Sequence, residues 1–130
     1  MMNPLEASQL LTDEYSAKIL LATYKRKISA QEISGLYGIP IAACYRKIRT
    51  LEEAGLIECV ERILTQKWKR KNLYTSRLKT AYIFFENGKL RARFHLATGI
   101  VKDFGGDWTG APPTPDMNLE KPGFDYLLKE

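Results

Sequence analysis

Apolar residues recur at helical spacing in three stretches of the first half of the chain, and they alternate with polar residues after that. In the first stretch, Tyr15, Ile19 and Ala22 fall in one apolar row. Thr12 stands before this row as a possible N-cap, and acidic residues follow it in the first turn, where the helix dipole favours them. The pattern predicts a helix that packs across the next two.

A second helix is expected from Ala30. Ser29 occupies an N-cap position and Glu32 follows three residues later, which is a capping box. Gly38 can adopt the left-handed conformation that ends such a helix. The apolar positions between them predict the buried stripe: Ile33, Leu36 and Tyr37.

A third helix is expected from Pro40 to about Ala54, since proline suits the first helical turn and Gly55 can terminate the helix. Its inner stripe repeats at spacings of four and three: Cys44, Ile48 and Leu51. The opposite face is expected to meet solvent or a partner, and it carries Ala42, Tyr45, Arg46 and Arg49.

Two short helices joined by a glycine-containing turn, with arginines facing outward on the second, form a helix-turn-helix. The pattern resembles winged-helix transcription regulators, most closely the ArsR-like (arsenical-repressor-type) group and next the MarR-like group. In those groups a helix of this kind closes with the sequence LEEAGLI, which is present here as Leu51 to Ile57. The resemblance covers Thr12 to Leu78 and implies a three-helix core followed by a β-wing.

The segment after Gly55 has the alternation of a wing. Leu56 to Lys69 reads as one strand and Leu73 to Leu78 as its partner, with Lys69 to Asn72 expected at the polar tip. Seven basic residues and no acidic residue lie between Arg62 and Lys79. In the family that this segment resembles, the wing meets phosphates or the minor groove.

A second hairpin is expected over Thr80 to Leu96. Asn87-Gly88 is the favoured pair for a type I′ turn, so Glu86 should oppose Lys89 and Tyr82 should oppose Arg93. One face then carries Ile83, Phe85, Leu90, Ala92 and Phe94, and the other carries Tyr82, Phe84, Arg91 and Arg93. Both faces bear apolar residues, so one should pack on the domain and the other on the C-terminal segment or on a second subunit.

Glycine and proline recur from Ala97 onward and interrupt any long element, although the segment keeps many apolar residues. We expect it to pack on the hairpin or on a second subunit, with a short helix near Phe124 to Lys129. The predicted fold class is therefore α+β: a winged helix-turn-helix, then a second β-hairpin and a C-terminal extension. The expected units are residues 1–79, which bind DNA, and residues 80–130.

The net charge of +5 is unevenly distributed. Lys18 to His95 contains seventeen basic residues against six acidic ones, and both flanking segments are acidic. Such a field attracts a polyanion, but it does not distinguish DNA from RNA or from an acidic protein surface.

Enzymatic chemistry is not expected. His95 is the only histidine, so nucleophilic systems that need a second histidine are excluded, and no carboxylate pair has a recognisable site spacing. ArsR-like metal sensors carry a cysteine pair on the helix that corresponds to Ala30 to Tyr37, but this helix has no cysteine. Cys44 and Cys59 are expected to be reduced structural thiols, so neither a metal nor a cofactor is predicted.

No apolar run approaches the length of a membrane span, and the first eleven residues lack the features of a signal peptide, so a cytoplasmic protein is expected. We expect a regulator that binds double-stranded DNA as a homodimer, because DNA half-sites match a two-fold protein. Nothing in the sequence identifies an effector. The predicted DNA-binding residues are Ile41, Ala42, Ala43, Tyr45, Arg46, Arg49, Lys67, Lys69, Arg70 and Lys71.

An alternative function stays open at this point. Ile41, Ala42 and Ala43 stand where the family often has Ser, Gln or Thr, so the first turn of the helix can form few hydrogen bonds to base edges. Methyl contacts with thymine are still available to them. The same residues would suit a winged-helix module for protein contact in transcription machinery or in a mobile element.

Overall fold

Four helices and two three-stranded antiparallel sheets are found in residues 2–106, the part of the chain that the computed structural model describes. The helices are α1 (Pro4–Thr12), α2 (Glu14–Lys25), α3 (Ala30–Tyr37) and α4 (Ile41–Glu53). The strands are β1 (Ile28–Ser29), β2 (Ile57–Leu64), β3 (Arg70–Ser76), β4 (Leu78–Glu86), β5 (Lys89–Leu96) and β6 (Val101–Phe104). This is the predicted α+β architecture, a winged helix after a helix-turn-helix.

The first helix, α1, was not predicted. Asn3 caps it, Pro4 occupies its first turn and Glu6 completes a capping box with Asn3. Thr12 therefore ends α1 and does not cap α2. The N-cap of α2 is Asp13, whose carboxylate accepts a hydrogen bond of 3.0 Å from the N–H of Ser16.

The helix-turn-helix forms as its caps predict. The Ser29 hydroxyl accepts a hydrogen bond from the N–H of Glu32 at 3.2 Å, and the Glu32 carboxylate accepts one from the N–H of Ser29 at 3.4 Å. Gly38 ends α3 with φ of 67°. Pro40 is the N-cap of α4, so this helix begins at Ile41, one residue later than expected. The predicted stripe of α3 is partly wrong, because Ile33 is fully buried but Leu36 is 62% exposed.

One core unites the helices and both sheets. Ile19, Ile33 and Leu51 are fully buried in it, and Ala92 and Phe94 of the second sheet join the same cluster with no exposed surface. The second sheet therefore packs on the helical core, and its β5 strand contacts α1.

The first sheet has the strand order β1-β3-β2, and β2 with β3 forms the wing. Its tip lies at Thr65 to Lys69, earlier than the predicted Lys69 to Asn72. The N–H of Thr65 donates to the carbonyl of Lys69 at 2.8 Å, so the strands are already paired at Leu64 and Arg70. Arg70, Lys71 and Asn72 are consequently strand residues.

The second sheet has the order β4-β5-β6, and its hairpin has the predicted register from Glu86–Lys89 to Tyr82–Arg93. Asn87 and Gly88 have positive φ of 51° and 73°, as a type I′ turn requires. The third strand, β6, was not predicted. The short helix expected near Phe124 to Lys129 lies outside the described residues.

Candidate nucleic-acid interface

Helix α4 separates buried and exposed residues as its sequence predicts. Cys44, Ile48 and Leu51 are at most 2% exposed and anchor the helix in the core. Ala43 is half-buried against the same core. The exposed face carries five of the ten predicted site residues: Ile41, Ala42, Tyr45, Arg46 and Arg49.

Three polar contacts fix α4 from the side opposite to its exposed face. The ammonium of Lys47 lies 3.4 Å from the carboxylate of Asp13, at the start of α2. Burial raises the pKa of Asp13, but the N–H of Ser16 and the charge of Lys47 outweigh it and hold this pKa below its ordinary value. At the other end, Lys102 of β6 donates to the carbonyl of Ala54 at 2.9 Å. The second sheet therefore satisfies a free carbonyl at the C-terminus of α4.

The third contact involves a thiol. Cys44 Sγ lies 3.5 Å from the carbonyl oxygen of Ala30, inside the interface between α3 and α4. Burial raises the pKa of this thiol to about 11. Cys44 is thus protonated at neutral pH and fills the place of a small apolar side chain.

A cleft separates α4 from the wing. Tyr45 lies on its helical side, where the Tyr45 hydroxyl accepts a hydrogen bond of 2.6 Å from the amide of Gln31. Arg62, Arg70 and Asn72 lie on its wing side. Arg62 and Asn72 are paired across the wing strands, so their side chains share one face of the sheet.

Gln31, Arg62 and Asn72 were not among the predicted site residues. Arg62 could have been predicted from the sequence, because it alternates with the apolar Ile63 and therefore lies on the opposite face of its strand. Gln31 is brought to the cleft only by the packing of α3 against α4, which the local pattern does not contain.

The wing tip projects Lys67, Trp68 and Lys69, all of which are exposed. Arg70 follows as the first residue of β3 and is also exposed. Three of the predicted wing cations are therefore accessible together, at or beside the tip.

Lys71 has a different environment. It is half-buried, and its ammonium lies 3.1 Å from the carboxylate of Glu32 in the α3 capping box. Hydrogen bonding from Lys71 and from Ser29 holds the pKa of Glu32 below its ordinary value, despite partial burial. The basic residues before α3 are paired as well: Arg26 lies 3.6 Å from Glu32, and Lys27 pairs with Glu61.

Potential metal ligands are dispersed within residues 2–106, where no three histidine, cysteine or acidic side chains form a group that could hold an ion. His95 packs edge-on against Tyr82 at 5.6 Å between ring centroids. None of the helices in this part of the chain is long and apolar enough to cross a membrane.

Comparison with known proteins supports the helix-turn-helix directly. Residues 11–60 match the family model of a helix-turn-helix domain. The matched region contains α2, α3 and α4 and ends within β2. No curated protein and no solved structure matches the chain. The chain therefore carries a helix-turn-helix domain within an α+β winged-helix fold.

Proposed function

We propose that this protein is a DNA-binding transcription regulator of the ArsR-like type, and that the MarR-like type is the second candidate. It lacks the metal-binding motifs of the ArsR-like group. Helix α4 enters the major groove, and the wing contacts phosphates or the minor groove. The observation that carries the proposal is the cleft between them, which has Tyr45 of α4 on one side and Arg62 and Arg70 of the wing on the other. One duplex can therefore contact both elements.

The predicted site residues divide into two roles. Arg46 and Arg49, near the middle of α4, suit hydrogen bonds to guanine edges in the major groove. The first turn of α4 supplies methyl contacts through Ile41, Ala42 and Ala43, and Tyr45 lies beside the wing. The phosphate contacts come from the wing residues Lys67, Lys69, Arg70 and Lys71.

Lys71 contributes least among these cations. Its ammonium is already 3.1 Å from the Glu32 carboxylate, so a phosphate would have to compete with an existing ion pair. Lys67, Lys69 and Arg70 are exposed and bear the larger part of the phosphate attraction.

We further propose that the regulator is a homodimer and that residues 80–130 serve its assembly. Phe85 is 75% exposed and Ile83 is 43% exposed on β4, an edge strand of the sheet within residues 2–106. Next to Ile83 lies an apolar groove between β4 and α2, lined in part by Leu20, Leu21 and Tyr24. A second copy that covers the groove and Phe85 would give the two-fold symmetry that paired half-sites require.

The protein acts on DNA in the cytoplasm.

Binding to a random DNA duplex at two salt concentrations tests the proposed function. We expect affinity at low salt that falls steeply at the higher salt, because each phosphate contact releases a counterion. A protein with little affinity for the duplex at both concentrations would contradict DNA binding.

A second function is favoured by one observation. Leu36 is 62% exposed at the end of α3, and Ile41 is 44% exposed at the start of α4, so apolar surface is available beside the turn. Such surface suits a module for protein contact in transcription machinery or in a mobile element. The same duplex experiment separates the two functions, since a protein-contact module would not show the salt-dependent binding.

A further inference from the structure

Trp68 is the most exposed large apolar side chain among residues 2–106, with 82% of its surface accessible. It lies between Lys67 and Lys69 at the wing tip. Burying an indole is worth more than burying most side chains, so its display at the end of a hairpin leaves a large favourable contact unused in the isolated protein.

The backbone at Trp68 is also unusual. Its φ is 60°, in the left-handed region that bulky residues rarely adopt. The turn holds it there, because the N–H of Trp68 donates to the carbonyl of Thr65 at 2.9 Å and the N–H of Lys69 donates to the Thr65 hydroxyl at 3.2 Å. Glycine or asparagine would fit this position with less strain. Strain that is retained at an exposed tip points to a function for the indole.

The reach of the wing suits a groove of duplex DNA. From Cys59, paired with Tyr74 beside the cleft, to Leu64 at the end of β2 there are five strand steps with a β-bulge between Cys59 and Glu61, so the stretch spans at most about 17 Å. Half a turn of B-DNA is also about 17 Å and separates a major groove from the next minor groove. The wing is therefore long enough to reach from a major groove, where α4 is proposed to lie, to the neighbouring minor groove.

We propose that Trp68 inserts its indole between base pairs in the minor groove and partly unstacks them, while Lys67 and Lys69 hold the flanking phosphates. Apolar wedges of this kind open a base step and kink the duplex toward the major groove, and cations beside them can bind the flanking phosphates. The proposal rests on the proposed function, since it needs duplex DNA as the partner. It adds an uncharged contact to the wing, whose other proposed DNA contacts are all made by cations.

The test uses the full chain with Trp108→Phe, which makes Trp68 its only tryptophan. The probe is a mixed-sequence DNA duplex that contains the fluorescent base analogue aminopurine, and the same strand unpaired is the second probe. Trp68→Asn removes the ring but keeps a residue that tolerates the left-handed turn, so the hairpin stays intact. Lys67→Ser is the matched variant that removes a charge from the neighbouring position.

Duplex binding should quench Trp68 fluorescence and increase aminopurine fluorescence. Trp68→Asn should weaken duplex binding about tenfold, or ~1.4 kcal/mol, at every salt concentration and leave the slope of log K against log salt unchanged. Lys67→Ser should instead reduce the magnitude of this slope by about 0.9 per phosphate contact and keep the quenching.

Three results would overturn the insertion. In the first, Trp68→Asn binds the duplex as tightly as the protein with Trp68. In the second, the quenching and the loss of affinity occur with the single strand only, which would assign Trp68 to unpaired bases. In the third, the protein with Trp68 fails to bind duplex at low salt, and the proposed function then fails with it. The first two results leave DNA binding itself intact.

Discussion

The ammonium of Lys71 lies 3.1 Å from the carboxylate of Glu32, so the wing is tied to the capping box that begins helix α3. Glu32 also bonds the N–H and the hydroxyl of Ser29. A single carboxylate thus joins β3, β1 and α3.

This contact predicts an acid-dependent loss of stability. The pKa of Glu32 is below its ordinary value near 4.5 in the folded protein, mainly because Lys71 bonds the charged form. A carboxylate with a depressed pKa stabilises the fold above its unfolded pKa, and this contribution disappears as the pH falls through the folded pKa. Lys71→Met should therefore lower the free energy of unfolding at neutral pH, and the difference from the unmodified protein should shrink below pH 4.5.

Urea unfolding at a series of pH values measures this difference. Lys69→Met is the control, because Lys69 is an exposed lysine at the wing tip, two residues before Lys71. An equal effect of both substitutions, or a Lys71→Met effect that does not change with pH, would show that the ion pair does not stabilise the wing.

Cys44→Val should change stability by less than about 1.5 kcal/mol, because the buried site requires a small apolar side chain. DNA binding should stay nearly unchanged. In the unmodified protein, a thiol-modifying dye should label Cys59 before Cys44, since Cys59 is only half-buried and the pKa of Cys44 is raised to about 11. A tenfold loss of a zinc or arsenite response in Cys44→Val would contradict this structural role.

The homodimer predicts an effect at Phe85. Phe85→Glu places a charge on the exposed apolar part of β4 and should convert a dimer to a monomer in sedimentation experiments at high micromolar concentration. Leu64→Glu is the matched control, because Leu64 is 55% exposed but belongs to the wing sheet. A monomer before any substitution, or dissociation by both substitutions alike, would refute an interface at β4.

Local chemistry explains which elements the sequence could predict. The capping box of Ser29 and Glu32, and the type I′ turn at Asn87-Gly88, are each contained within a few residues. A two-residue turn also sets the cross-strand pairs that follow it, so the turn alone predicts the register of β4 with β5 from Glu86–Lys89 to Thr80–His95, before the shift at Leu78. Helix α1 has a similar local signal in Asn3, Pro4 and Glu6, although it was not predicted.

Other features depend on hydrogen bonds and packing that the pattern of residue types does not show. The run from Lys69 to Asn72 has the composition of a turn, but the tip forms earlier because Thr65 closes it and Trp68 takes the left-handed position. Strand β6 follows from pairing with β5, which its short sequence does not reveal. The cleft is built from α3, α4, β2 and β3 together, so Gln31 became a candidate only once their packing was known.

The division between base contacts and phosphate contacts within one surface is tested by comparing two variants. Arg46→Ala removes an exposed arginine from the middle of α4, where a bidentate contact with guanine is worth about 1–3 kcal/mol of discrimination. The second variant replaces the accessible wing cations Lys67, Lys69 and Arg70 with serine. Both are compared with the unmodified protein on a duplex selected from a random pool for tight binding, and on random duplex, over a series of salt concentrations.

We expect Arg46→Ala to weaken binding to the selected duplex far more than binding to random duplex. The wing variant should weaken binding to both duplexes. It should also reduce the magnitude of the slope of log K against log salt by about 0.9 for each phosphate that the wing of one subunit no longer binds. If both variants lowered the affinity for the selected and random duplexes by the same factor, helix α4 would not read bases, and the proposed mode of DNA recognition would be wrong.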